Sequence, residues 1–419
     1  MASPSAPLTG SSQFRWYLAG AGAWFGAFGI QMVMMGYLVT TVLHAPPGYI
    51  GLAQASPTLV STFLLLVGGA IADQIDTRRL LFLAHLAAIV PALVLSAVVA
   101  LGLLRYEWLI VYGLSMGLVT AFVIPAREAM MADVIGPDAG PQIQSAVTTT
   151  VGVTFLAQIA GMFTTRLAAM AGPAPVILIQ AVLQAIGAFT SWRLHPSTRH
   201  HVHAETNGGG QLHRIAAGLS EVVNSPALLP VTIITAAIGV LFIGAFMVIL
   251  PVILRTEYGG DVQQFSSMQV AFWSGSILAS LTISRLGNIT NRGRPIIFAV
   301  SSGTTILILM SFKSPLLVFY ALVFLWGIGA GVTISMTRTI VQEYAPPAHR
   351  ARVLSIYQLG FTGGMAVGSL LTGLVVSVLG ARQAALVPAF VMIVVILSLL
   401  MRTDIWRIKA LDHGRGAPA

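Results

Sequence analysis

The sequence predicts an all-α membrane protein, with twelve transmembrane helices in two pseudo-symmetric six-helix bundles. Three observations predict it. Hydrophobic residues fill 56% of the 419 positions and charged residues only 8%, against about 25% charged in a soluble domain. Apolar runs of about 18 residues or more recur along the whole length, each long enough to cross roughly 30 Å of hydrocarbon as a helix. Charged residues at the ends of corresponding spans then recur about half a chain apart. The alternating pattern of a lipid-facing β-barrel is absent.

The spans follow in order. The first thirteen residues are polar, and the apolar run near 15–43 is too long for a signal-peptide core, so it stays as a helix. Runs near 48–72 and 79–104 flank the charge-dense loop from Gly68 to Arg79. A carboxylate and two guanidiniums are costly in lipid, so this loop faces water. The fourth run, near 107–126, closes on Pro125, Ala126, Arg127 and Glu128. Runs near 142–170 and 174–193 complete the first half. The second half repeats the plan near 226–254, 263–284, 294–312, 315–343, 351–379 and 382–401, with Arg338 and Glu343 closing the tenth run.

Arg127 and Arg338 stand 211 residues apart, and Asp73 and Arg285, which end the second and eighth spans, stand 212 apart. Repetition at half length in a polytopic chain points to two bundles with a substrate path between them. The stretch from Ser197 to Gln211, centred on Asn207 and three glycines, is the one long polar interruption and reads as a linker. After it, Ile215, Leu219, Val222 and Val223 share a helical face opposite Arg214 and Glu221, as in a short helix lying on the membrane surface. The expected domains are therefore 1–195, a linker at 196–225, and 226–419.

The net charge of +9 is a matter of topology. Loops on one side, with both tails, collect 17 of the 22 Lys and Arg, leaving Arg105, Arg166, Arg255, Lys313 and Arg382 opposite. The positive-inside rule puts that side, and both termini, in the cytoplasm. The basic balance therefore implies no nucleic-acid partner. The partners expected are a lipid bilayer and a small-molecule substrate. No cysteine is present, which excludes disulfides and thiolate metal sites. His195, His200, His201 and His203 lie irregularly in the linker without a completing acid, so no metal site is expected. No nucleophile elbow, zinc-protease helix or phosphate-binding loop appears. The chain is expected to be no enzyme and to use no cofactor and no ATP.

Gly69, Ala70, Ile71, Ala72 and Asp73 with Arg78 and Arg79 resemble the signature of the major facilitator superfamily between its second and third spans. The Pro-Ala-Arg at 125–127, and Arg338, Glu343, Pro346, Arg350 and Arg352, are similar to the branch of enterobactin exporters and macrolide-efflux proteins. Two positions depart from the signature. Gln74 replaces the first basic residue, and Asp76 replaces a glycine whose left-handed turn an Asp can adopt at some cost. The resemblance implies the major facilitator fold, a monomer in a bacterial cytoplasmic membrane, and alternating-access export of a small, largely apolar molecule. It also implies proton antiport, with protons as the coupling ion.

A cytoplasmic gate is expected from Gly69, Asp73, Arg78, Arg79, Arg127, Glu128, Arg338, Glu343 and Arg352. In it Asp73 would meet Arg127 or the positive N-terminus of span eleven. The alternative reading of the same charges is that they only anchor the helix ends and stop them sliding into lipid.

No Asp, Glu, Lys or Arg lies near the middle of any predicted span, so a buried carboxylate to carry protons has no candidate. What remains at depth is neutral: Gln31, Gln158, Gln180, Gln184, Trp273, Tyr357 and Gln358. Amides in hydrocarbon must face a cavity or another helix. A substrate cavity is expected from Trp24, Gln31, Met35, Gln158, Trp273 and Gln358. Such Met and aromatic surroundings suit a large, loosely specified apolar solute. Interhelical hydrogen bonding explains each amide equally well. Two alternatives share these features: a lysophospholipid flippase of the same superfamily, and a non-transporting membrane scaffold or sensor.

Overall fold

The structure, a computed structural model, describes residues 11–72, 76–135, 142–195, 219–286, 289–346 and 350–410. The elements among them are helices. Twelve helical stretches follow the order expected. The first half comprises Ser12–Tyr37 continued by a π-helical Leu38–Val42, then Pro47–Ala72, Thr77–Ala100, Tyr106–Ile135, Gln142–Thr164 prolonged by short turns to Ala171, and Pro173–Arg193. The second half begins with a composite span from Leu228 to Tyr258. It continues with Val262–Leu286, Gly293–Leu309, Leu316–Tyr344, Arg350–Leu379 and a last span of Ala381–Ala384 with Leu386–Arg402. We call these spans one to twelve. Among the described residues nine helices are long and apolar enough to cross a membrane, and Gly293–Leu309 is a shorter apolar one.

Two local expectations are corrected. Span four runs on to Ile135 rather than stopping near 126. Pro125 sits inside it, because one missing N–H in a thirty-residue helix is tolerated where neighbouring bonds hold the ladder. Asp76 adopts φ −51°, not the left-handed turn, and acts as the N-cap of span three, its side chain accepting from the Arg78 N–H at 2.9 Å. Capping satisfies one of the orphan N–H groups at a helix start. The substitution of glycine by Asp thus supplies a cap at that position. Of the surface-helix expectation, residues 219–224 are helical, with Val222 buried and Leu219 and Val223 exposed. Arg214 and Ile215 lie outside the described residues.

Contacts divide the chain into two units, one of 1–204 with 259–270 and another of 205–258 with 271–419. Within the first, the start of span eight is bonded to span five: the Ser266 hydroxyl donates to the Met162 carbonyl at 2.7 Å. Each unit packs by close approach of small residues. On span four, a Cβ at Gly117 would lie 2.2 Å from the Pro57 carbonyl of span two; on span ten, a Cβ at Gly331 would lie 2.3 Å from the Ser276 carbonyl of span eight. The two glycines are 214 residues apart, so the half-length repeat extends to the packing.

The helix ends on the side of the basic loops repeat as well. Arg78, at the start of span three, donates to the Trp192 carbonyl at the end of span six at 2.6 Å. Arg292, before span nine, uses its backbone N–H to reach the Ile408 carbonyl beyond span twelve at 2.9 Å. An isolated bridge of Asn291 with Lys409 and the Tyr344 hydroxyl on the Lys409 carbonyl fasten the same strap.

Candidate functional site

In the first unit, spans one, three, four and six converge on a small cavity. Trp16, Tyr17, Gly20, Trp24, Leu81, His85, Val123, Arg127, Thr190 and Ser191 are among its lining residues. The sequence brings them together through helix geometry: Tyr17, Gly20 and Trp24 stand three and four residues apart on span one and so share a face. Thr190 and Ser191 both donate to the Gly187 carbonyl, at 3.0 and 2.7 Å. Their own donors are thereby used within span six.

Arg127 is half-buried, its guanidinium carbon 4.5 Å from the centre of the Phe25 ring. The ring face attracts the cation. Its Nη1 is buried and has no hydrogen-bond acceptor among the described residues. Across the cavity, His85 is buried, its Nδ1 lies 2.8 Å from the Gln184 Oε1, and its ring meets the edge of Trp24 at 5.6 Å.

The other gate candidates are placed as follows. Gly69 falls in span two, and Asp73 lies outside the described residues. Arg79, Glu128 and Arg338 are exposed, and Arg352 is half-buried. Glu343 forms an ion pair with Arg292, a residue not anticipated as a partner. Of the cavity candidates, Trp24, Gln31, Met35 and Gln158 are buried in the first unit. Gln158 Nε2 approaches the Met32 sulfur at 3.6 Å, so these two neighbouring spans share a weak polar contact. Trp273 is half-buried against Phe272, and Gln358 is exposed.

Other neutral polar residues of the spans find partners within their own unit. Gln180 donates to the Tyr112 hydroxyl at 2.6 Å, and the Thr337 and Tyr357 hydroxyls lie 2.8 Å apart. These are interhelical bonds, the role expected of polar groups that would otherwise be unsatisfied in lipid. Sequence reasoning missed His85 because it sought permanent charges at depth. The available signal was a single imidazole in the otherwise uncharged stretch from Leu80 to Ala100. Among the described residues no three His, Asp or Glu side chains group as metal ligands.

Nine described helices long and apolar enough to cross a membrane, close packing that repeats by halves, and the family match that follows make the chain a multi-pass transporter of the major facilitator type. The chain belongs to the transmembrane secretion effector family, whose pattern it matches over residues 2–415. No curated protein matches it. Solved structures show the same fold at low identity. A point mutant of the nucleoside transporter NupG is similar at TM-score 0.75 and 15% identity, over 93% of this chain and 99% of that one. A POT family transporter in complex with 5-aminolevulinic acid is similar at TM-score 0.74 and 12% identity, covering 93% and 96%. A bacterial homolog of the human lysosomal transporter Spinster, inward-facing and unoccupied, follows at TM-score 0.64 and 13% identity, covering 95% and 97%.

Proposed function

We propose that the protein is a secondary active exporter, moving a small, largely apolar molecule out across a bacterial cytoplasmic membrane by alternating access. Membership of a secretion family along nearly the whole chain is the observation that carries the outward direction. The buried neutral set of Trp24, Gln31, Met35 and Gln158 supports an apolar solute: a site without fixed charge gives a charged solute no partner to replace its lost water. Drug-like compounds and siderophores fit that description. With no ATP-binding loop in the sequence, transport draws on an ion gradient or on the solute's own. Protons are the coupling ion we propose, and the protein acts as a monomer with both termini cytoplasmic. Asp73, Arg127 and the charges at the repeat-related helix ends form its cytoplasmic gate.

Reconstitution in liposomes tests this reading. Hydrophobic dyes and siderophores are expected to move only where the protein is present, and faster with an inward proton gradient. Movement of lysolipids alone would turn the reading to a flippase, and no movement of any solute would turn it to a scaffold. Rates indifferent to the gradient would remove proton coupling.

A further inference from the structure

Span three buries one imidazole that the transport reading leaves without a task. His85 is 3% exposed, and its seat is shaped for a ring. Gly187 on span six leaves the space: a Cβ there would lie 2.3 Å from His85 Cε1. Trp24 meets the imidazole edge-to-face, the two planes 82° apart. The Gln184 amide oxygen, 2.8 Å from Nδ1, can only accept. Nδ1 therefore carries the hydrogen and Nε2 keeps its lone pair.

The cavity beside it limits what that lone pair can take. Space for a water-sized body is ≈ 10 Å³, enough for about one water. A transported solute is excluded. A proton delivered through one water is not.

The charged and titratable groups facing this place are few. Span one presents Tyr17, and span four presents Arg127, with Glu128 exposed next to it. Span six carries Arg193, exposed and set against the rings of Trp16 and Phe189. Span three itself carries Arg78 and Arg79 at its start. Arg127 shares the cavity with His85, and its buried Nη1 lacks an acceptor among the described residues.

We propose that His85 Nε2 is a reversible proton-binding site inside the first unit, and that the fixed charge of Arg127 in the same cavity sets how readily the proton binds. On binding, a proton from bulk solvent is relayed through one water seated in the cavity to the Nε2 lone pair, and the water is left neutral. The imidazolium then donates through Nδ1 to Gln184 and through Nε2 back to the water. A negative charge brought to Arg127 favours the proton, and its removal disfavours it. Protonation and the state of the gate arginine are thereby linked through one cavity. This goes beyond the proposed export and supplies, within a span, a proton acceptor that carboxylates do not provide.

The neighbouring indole gives a readout that needs no substrate. Purified protein is titrated between about pH 4 and pH 9, and the emission of Trp24 is taken as the difference between the native chain and Trp24→Phe. An imidazolium quenches a touching indole more than a neutral imidazole does, so emission is expected to fall through one single-proton step on acidification. His85→Asn, which keeps an N–H for the Gln184 oxygen, is expected to abolish the step. Arg127→Gln and Gln184→Glu, which both retain the ring, are each expected to move it about one unit to higher pH. Trp24 emission indifferent to pH in the native chain and in both of these variants overturns the site. An unmoved midpoint in Arg127→Gln overturns the part given to Arg127. Either result stands whether or not the liposomes show export.

Discussion

Arg382 and Glu257 form a two-pronged ion pair, Nε to Oε1 at 2.7 Å and Nη2 to Oε2 at 2.5 Å. It joins the start of span twelve to the end of span seven. The remaining donor, Nη1, reaches the carbonyls of Met310 and Phe312 at the end of span nine, 2.6 Å from each. One guanidinium therefore ties three helix ends of the second unit, and its planar fork suits that task where a lysine's point charge does not. Arg382→Ala is expected to cost about 1–3 kcal/mol, read as a lower melting temperature in detergent. The exchange Arg382→Glu with Glu257→Arg is expected not to rescue it, because a carboxylate would then face the two carbonyls. Full recovery in the exchanged protein would show that the ion pair alone matters.

The cap at the start of span three makes a contrast between two small replacements. Asp76→Ala removes the acceptor for the Arg78 N–H and is expected to cost about 1 kcal/mol, while Asp76→Gly costs only a few tenths. Equal melting temperatures for the two variants would contradict the capping role.

Close packing at Gly117 and Gly331 predicts repeat-related sensitivity. Alanine at either place drives a methyl into a carbonyl of the facing helix and is expected to cost about 1–3 kcal/mol. Gly152, also helical, has nothing within 4 Å of the same position, so Gly152→Ala is expected to be neutral or stabilising by about 0.5–1 kcal/mol. Melting of the three variants side by side checks the order.

The proposed gate is tested by charge. Asp73→Arg and Arg127→Asp are each expected to slow transport in liposomes, and the double reversal to restore part of it, as coupled pairs do. If single and double reversals transport equally well, the pairing falls.

Much of the fold was legible because hydropathy over eighteen residues is a local property, and lipid demands it of every span. The half-length recurrence of Arg127 and Arg338 announced a repeat that Gly117 and Gly331 then show in packing. Boundaries were less legible. Pro125 reads as a terminator, yet the helix passes through it to Ile135. The candidate site was legible only in pieces: Gln184 and Arg127 stood out as polar residues in or beside apolar runs, whereas His85 did not.

By itself, the sequence determined that the chain crosses the membrane repeatedly, which loops carry its basic residues, and that its two halves correspond. Each of these follows from composition or spacing along the chain. Only the tertiary structure decided which polar groups meet: His85 with Gln184, Arg382 with Glu257, Arg292 with Glu343. A span that is apolar on every side carries no stripe to say which face turns inward. The partner of a buried polar side chain is therefore set by how the helices rotate against one another as they pack.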